Sequence, residues 1–346
     1  MKPTIARSAS LLALFAVLAA SMAVCAADPP TAPPTANVTP APEPALPEVN
    51  VEAPEPRYVA PTLRDRIGRI WAPVYINGKG PYRLVLDTGA SHSAVTAAVA
   101  ASLGISLQDS THVLLRGVTG TANVPTIRVA TLIVGDLQIE APMLPIVPDA
   151  LGGAEGILGT EGMSDKRIFI DFRHDKITIM RSHSFRAKDG FVTIPVQLTP
   201  DHLLVAQVHV GGVRVKAIID TGGQATVANP ALREALLHRR SDRGFSQDQI
   251  VGTTLEVQNG LGTTLPAIDF GRIEIRNSRV TISDLKIFEQ WHLTNEPAML
   301  IGMDTLGLLD TLIIDYKRQE LQVELRSDIM KFNPDARRGC ERCGNI

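Results

Sequence analysis

Two stretches of this chain share one pattern of apolar and polar positions. At residues 84–91 (LVLDTGAS) and 217–224 (AIIDTGGQ), an apolar run is followed at once by a carboxylate, a hydroxyl and a glycine. An earlier apolar segment and a glycine-bearing turn precede each run, at 70–81 and at 206–212. This pattern predicts two β-hairpins, each of which delivers an aspartate, Asp87 or Asp220, to the end of a strand.

Further landmarks repeat in the same order along the chain. The segment ILG at 157–159 matches LIG at 300–302, and IFIDF at 168–172 matches LIIDY at 312–316. Short apolar runs separated by glycine turns fill most of the space between them, with helices predicted only at 93–103, ending before Gly104, and at 231–239. Such agreement indicates a duplicated domain and a mainly β chain of two lobes.

The two ends of the chain differ from the repeat in composition. Lys2 and Arg7 precede an apolar run at 11–24, and small residues and prolines follow it, which predicts a cleaved export signal at 1–27. An uncleaved membrane anchor is the alternative. Residues 28–57 are rich in proline and alanine and predict an extended linker. The tail at 328–346 holds a C-x-x-C pair, Cys340 and Cys343, for which a local disulfide or free thiols are favoured over a zinc or redox site.

Charge and residue usage exclude several kinds of partner. The formal net charge is −2, and no stretch interleaves basic and aromatic residues, so no nucleic-acid partner is expected. The eight histidines show no metal-ligand spacing, and no G-x-S-x-G elbow is present. We therefore expect no metal and no cofactor. No later segment is long and apolar enough for a membrane span, so the mature protein is expected to be periplasmic or secreted.

The repeated aspartate is the candidate for chemistry. A single acid in a tight turn is as readily structural as catalytic. Two copies in similar lobes change this, because pseudo-twofold packing can bring both carboxylates together. Carboxylates about 3 Å apart share one proton, so an acid and a base coexist and can activate water against a peptide bond. The glycine after each threonine lets backbone approach the carboxylate closely.

These motifs resemble those of the aspartic peptidases, in particular the bacterial retropepsin-like branch, here as two fused copies. The resemblance covers roughly residues 58–326 and implies a bilobal acid-protease fold of two pseudo-twofold-related β-barrel lobes with short helices. It also implies roles for the aspartate loops. Asp87 and Asp220 would form a catalytic dyad, and the loops that support it would contribute Thr88, Gly89, Thr221 and Gly222.

The resemblance further implies a flap that closes over substrate. Residues 113–121 fit such a hairpin, with Gly117, Val118, Thr119 and Gly120 at its tip, although a plain surface hairpin is the alternative. In the second lobe, 252–254 and 260–264 are both candidates for a matching hairpin. Ala90 is ordinary for retropepsins, but Gly223-Gln224 departs from the usual sequence and leaves the bracing of the second loop open.

Together these observations predict an aspartic endopeptidase that acts on protein or peptide substrates. The N-terminal lobe is expected at 58–183 and the C-terminal lobe at 184–327. Because the copies are linked, we expect the lobes to pair within one chain, as a monomer, instead of between two chains. The alternative function is a non-catalytic peptide-binding or scaffold module on the same duplicated fold.

Overall fold

The computed structural model describes residues 60–61, 68–183, 189–200, 202–237 and 245–326. The predicted export signal (1–27), linker (28–57) and tail (328–346) lie outside the described residues and stay predictions. The lobe boundary predicted at 183/184 borders a segment that is also outside them. Within the described part of the chain, no helix has the length and apolar character needed to cross a bilayer.

After the short strand β1 (Ala60–Pro61), nine strands form the first sheet. They are β2 (Trp71–Ile76), β3 (Lys79–Leu86), β4 (Ala94–Thr96), β5 (His112–Arg116), β6 (Thr121–Arg128), β7 (Thr131–Val134), β8 (Leu137–Glu140), β9 (Met143–Val147) and β10 (Gly156–Leu158). Their order is β5-β6-β9-β4-β10-β3-β2-β7-β8. Alternating residues such as Ile76, Leu84 and Leu132 are fully buried and form the core of this lobe.

The described strands from Lys166 onward form a second sheet, which β1 joins at one edge. They are β11 (Lys166–Asp171), β12 (Lys176–Arg181), β13 (Val192–Leu198), β14 (Leu204–Val210), β15 (Val213–Ile219), β16 (Val227–Ala228), β17 (Ser246–Val251), β18 (Val257–Thr264), β19 (Ile268–Asp269), β20 (Glu274–Ile275), β21 (Arg279–Ile282), β22 (Ala298–Ile301), β23 (Leu309–Asp315) and β24 (Glu320–Leu325). The main path is β1-β12-β11-β23-β24-β13-β14-β15-β22-β16-β21-β18-β17, and β19 pairs with β14 and β20.

The described helices are short: α1 (Ala97–Leu103), α2 (Pro230–Leu237), α3 (Lys286–Gln290) and α4 (Met303–Leu306). The predicted helix at 93–103 is wrong at its start, because residues 94–96 form β4 between β9 and β10. Val95 and Thr96 are β-branched and favour this extended pairing. The predicted end is right: Gly104 has a φ of 80° and caps α1 in the left-handed conformation.

The two halves repeat the same strand pairing around each aspartate loop. Strand β3 pairs in parallel with β10, and β15 pairs in parallel with β22 in the equivalent register. The halves are joined where β11 pairs antiparallel with β23, with Phe169 opposite Ile313. The strand that leads to Asp220, β15, lies in the same sheet as this joint, whereas β3, which leads to Asp87, lies in the nine-stranded sheet.

Candidate active site

The first aspartate loop begins where β3 ends. Leu86 is the last residue of β3, and the Asp87 N–H donates to the Leu158 carbonyl at 3.0 Å, which continues the pairing with β10 by one residue. The half-buried Asp87 carboxylate accepts a hydrogen bond from the Gly89 N–H at 2.8 Å. The strand end and the turn therefore fix both the backbone and the carboxylate of Asp87.

The second loop is built in the same way and is held more firmly. The Asp220 N–H donates to the Ile301 carbonyl at 3.0 Å, as Asp87 does to Leu158. The buried Asp220 carboxylate accepts two N–H groups, from Gly222 at 3.0 Å and from Gly223 at 2.9 Å. The unusual Gly223 thus supplies a backbone donor to the carboxylate, and a Cβ at this position would lie 2.8 Å from Asp220 Oδ2.

Two threonines lock the loops together. The Thr88 hydroxyl donates to the Ile219 carbonyl, and the Thr221 hydroxyl donates to the Leu86 carbonyl, both at 2.6 Å. Each hydroxyl also accepts the N–H of the other threonine at 3.1 Å. Both side chains are fully buried, so these four reciprocal bonds are shielded from water.

The glycines let each loop pass directly beneath the carboxylate of the other. A Cβ built on Gly222 would lie 2.2 Å from Asp87 Cγ, and one on Gly89 would lie 2.9 Å from Asp220 Oδ1. Any side chain at Gly222 would therefore collide with Asp87. The structure brings together all six residues of the two predicted Asp-Thr-Gly loops.

The two carboxyl groups differ in proton affinity. Burial, the neighbouring charge of Asp220 and a hydrogen bond to Asp220 all raise the pKa of Asp87, against the opposing Gly89 N–H. Burial also raises the pKa of Asp220, but its two N–H donors and the hydrogen bond from Asp87 oppose that rise. The two N–H donors at Asp220, against one at Asp87, therefore favour a charge on Asp220 and a proton on Asp87.

A cation lies near this pair. Arg69, directly before the start of the first sheet, lines the same cavity as Asp87 and Asp220. Its positive charge lowers the pKa of both carboxyl groups and so partly offsets the effect of burial. Sequence reasoning did not single out Arg69, because it lies 18 residues before Asp87 and belongs to no motif.

Sequence reasoning also missed two supporting pairs behind the loops. The Gly159 N–H donates to the Ser93 hydroxyl, and the Ser93 N–H donates to the Glu161 carboxylate. Thr226 and Asp304 make the same two contacts in the second half, with Gly302 as the donor to the hydroxyl. An alignment of the two repeats would have found them: each hydroxyl lies six residues after its aspartate, and each acid two residues after its glycine.

The aspartate pair lies in a cavity of about 1940 Å³ that both lobes line. The predicted flap is the hairpin of β5 and β6, closed by a hydrogen bond from the Gly117 N–H to the Gly120 carbonyl at 2.8 Å. The equivalent hairpin of the second lobe is β17 and β18, which turns after Val251. Of the two predicted positions, 252–254 is therefore the turn, and 260–264 lies inside β18.

The two hairpins meet at their tips. The buried Thr119 accepts the Gly252 N–H on its hydroxyl at 3.2 Å and the Gln258 side-chain amide on its carbonyl at 3.1 Å. Val118 packs on the apolar cluster of the second lobe, together with Ile250. A roof of two hairpins therefore spans the cavity, one from each lobe.

Within the described residues, no three His, Cys, Asp or Glu side chains lie close enough together to hold a metal ion.

Comparison with known families matches both halves of the chain. Residues 72–161 match the family described as "Aspartyl protease", and residues 206–307 match the family described as "gag-polyprotein putative aspartyl protease". The chain therefore carries two aspartyl-protease domains in succession, and the prediction of two fused retropepsin-like copies is confirmed. The mainly β, bilobal fold class predicted from the sequence is confirmed as well.

Among solved structures, the chain is similar to conglutin gamma, a basic 7S globulin from lupine seeds. The identity is 12% and the TM-score 0.45, over 77% of this chain and 94% of that one. No curated protein matches the sequence significantly.

Proposed function

We propose that the protein is an aspartic endopeptidase in which Asp87 and Asp220 form the catalytic dyad. The observation that carries this proposal is that both aspartates line one large cavity and that each lies against the glycine of the other loop, in loops joined by the reciprocal bonds of Thr88 and Thr221. The family matches support a protease of the aspartic class.

In the proposed reaction, a water molecule bound between the carboxyl groups attacks the peptide carbonyl carbon. Asp220, the charged member, takes a proton from the water, while Asp87 gives its proton to the carbonyl oxygen. The tetrahedral diol then collapses: a hydroxyl proton returns to Asp87, the C–N bond breaks, and Asp220 gives its proton to the leaving nitrogen. The dyad returns to its starting state without a covalent intermediate.

The test is the replacement of each aspartate by asparagine. We expect Asp87→Asn and Asp220→Asn to lower the rate of peptide cleavage by at least about 10²-fold, since each removes the acid or the base. The cleavage of a denatured protein would be followed by mass spectrometry, with circular dichroism as the check that each variant folds. Full activity in either variant would exclude the dyad.

The alternative, a non-catalytic peptide-binding module, is not favoured, because neither aspartate has been lost. A peptide recovered intact after long incubation with the wild-type chain, from acid to neutral pH, would support it instead.

We further propose that the protein is exported and acts as a single chain. The composition of residues 1–27 supports export, and N-terminal sequencing of the mature protein would test it. Pairing of β11 with β23 within one chain supports a monomer. Sedimentation of the active protein at the mass of two chains would contradict this part of the proposal.

A further inference from the structure

The two side walls of the cavity are equivalent in topology but differ in polarity at three matched positions. Strand β9 provides the wall in the first lobe and β21 in the second. Each runs parallel to the short strand that follows its aspartate loop, with Val95 opposite Ile146 and Ala228 opposite Ile282. Those short strands in turn pair with β10 and β22, with Ala94 opposite Ile157 and Val227 opposite Leu300. The register thus identifies each wall position with its counterpart.

In the first lobe alternate residues of β9 line the cavity, with the buried Leu144 and Ile146 between them. In the second lobe all of 279–283 line it, including the apolar Val280 and Ile282. Three of the matched lining positions are apolar in the first lobe and polar in the second. The pairs are Met143 with Arg279, Pro145 with Thr281, and Val147 with Ser283.

The neighbouring hairpin strands carry the same contrast. Strand β5 pairs with β6, which pairs with β9; in the second lobe β17 pairs with β18, which pairs with β21. This register makes Asp248 of β17 the counterpart of Val113 of β5, which lines the cavity. Asp248 is paired with Arg279 at 2.7 Å and accepts the Thr281 hydroxyl at 2.9 Å. The second-lobe wall is therefore a connected network of charges and hydroxyls, whereas Val113 and Met143 offer only apolar atoms.

An extended substrate across the dyad would meet both walls. The reciprocal bonds of the two Asp-Thr-Gly loops relate the lobes by a pseudo-twofold axis between Asp87 and Asp220. We therefore place the residues on either side of the cleaved bond against equivalent walls of different lobes. An apolar side chain over Asp248 and Arg279 would remove water from the ion pair without forming a compensating hydrogen bond. A polar side chain over Met143 and Val147 would lose its own hydration without finding a partner.

We propose that this cleft selects peptides with an apolar side chain on one side of the cleaved bond and a polar, hydrogen-bonding side chain on the other. The inference rests on the proposed function, since it concerns the substrates of that same site. Which of the two residues comes first along the peptide depends on the direction in which the substrate chain lies.

The experiment uses four sets of synthetic peptides that differ only in the two residues flanking the bond: apolar–apolar, apolar–polar, polar–apolar and polar–polar. We expect one mixed set to be cleaved with a kcat/KM at least about 10-fold above both uniform sets, because an unpaired polar group is rejected strongly. Best cleavage of a uniform set, apolar–apolar or polar–polar, would overturn the proposal.

Variants that exchange the walls give the matched control. Asp248→Val with Arg279→Met installs the first-lobe residues in the second lobe, and we expect the apolar–apolar set to become the best substrate. Val113→Asp with Met143→Arg makes the reverse exchange and should favour the polar–polar set. The Arg279 side chain is 62% exposed and Met143 is 46% exposed, whereas the Asp248 side chain is 20% exposed and accepts the buried Thr281 hydroxyl, so circular dichroism checks that each variant folds. An unchanged preference in both variants would contradict the proposal.

Failure of the proposed function would give a different result. In that case no set would be cleaved, or cleavage would persist in Asp220→Asn. Binding of the same four sets to Asp220→Asn, measured by calorimetry, then tests the walls alone. Tighter binding of a mixed set supports the inference, and equal or tighter binding of a uniform set overturns it.

Discussion

The two aspartate loops have the same sequence core but hold their carboxylates differently. Asp87 accepts one backbone N–H, from Gly89, whereas Asp220 accepts two, from Gly222 and Gly223. The extra donor comes from the position at which the second repeat departs from the first. In a pair that shares one proton, the extra N–H donor favours the charge on Asp220 and therefore the proton on Asp87.

The largest loss of kcat/KM is expected from substitutions of the loop glycines. Gly222→Ala would place a Cβ 2.2 Å from Asp87 Cγ and push the carboxyl groups apart, and we expect kcat/KM to fall by about 10²-fold or more. Gly89→Ala is the matched variant, and its smaller overlap, 2.9 Å to Asp220 Oδ1, should cost clearly less. Peptide-cleavage kinetics of the two variants measure both losses of kcat/KM. Equal losses would contradict the argument that the Gly222 position has less room for a Cβ than the Gly89 position.

The threonines should show where the two loops are equivalent. Thr88→Val and Thr221→Val each keep the side-chain shape but leave a buried carbonyl and a buried N–H without a partner. We expect each to lower the free energy of unfolding by about 2–3 kcal/mol. Urea denaturation measures this, with the exposed Thr121→Val as the control. A loss in only one of the two would mean that the lock is not reciprocal.

The proposed reaction requires Asp87 to be protonated and Asp220 to be charged, so activity should fall at both ends of the pH range. Since the pKa of Asp87 is raised, activity should fall as pH rises through it and the acid is lost. At the acid end, activity should fall as Asp220 becomes protonated. The pH profile of kcat/KM measures both limits. A profile that stays flat from acid to alkaline pH would contradict the assignment.

The same asymmetry affects stability. A raised pKa means that the folded state prefers the protonated carboxyl group, so stability is lost as pH rises from the ordinary aspartate pKa through the raised one. Asp87→Asn removes this penalty and should stabilise the fold at neutral pH by on the order of 1 kcal/mol, with no gain below about pH 3. Thermal melts at both pH values test it, with the exposed Asp109→Asn as the control. A gain that is equal at both pH values would contradict the cause.

The smallest effect is expected at the roof, where the hairpins also differ. The Thr119 hydroxyl accepts the Gly252 N–H between the hairpin tips, so Thr119→Ala should weaken the closed roof and lower kcat/KM by about 3–10-fold. Hydrogen exchange at the Gly252 amide should rise in the same variant. Thr121→Ala, on the exposed face beyond the tip, is the control. Unchanged exchange in Thr119→Ala would mean that this contact does not hold the tips together.

Much of the fold could be predicted from the sequence. The hairpins before Asp87 and Asp220, the helix end at Gly104 and the hairpin of β5 and β6 all follow from local alternation and glycine turns, which act over a few residues. The start of α1 could not, because tertiary pairing of β4 with two other strands overrode its helical composition. The sequence left two candidate positions for the matching hairpin turn of the second lobe. Strand pairing places one of them, 260–264, inside β18.

The sequence by itself determined that this chain is a tandem repeat with one Asp-Thr-Gly loop in each half, because the spacing of the landmarks is a property of the chain alone. Only the tertiary structure decided that the second loop gives its aspartate two N–H donors and that Met143 and Arg279 occupy equivalent positions in the lining of one cavity. Both look like exposed strand residues in sequence. Their equivalence depends on long-range pairing, which no local pattern specifies.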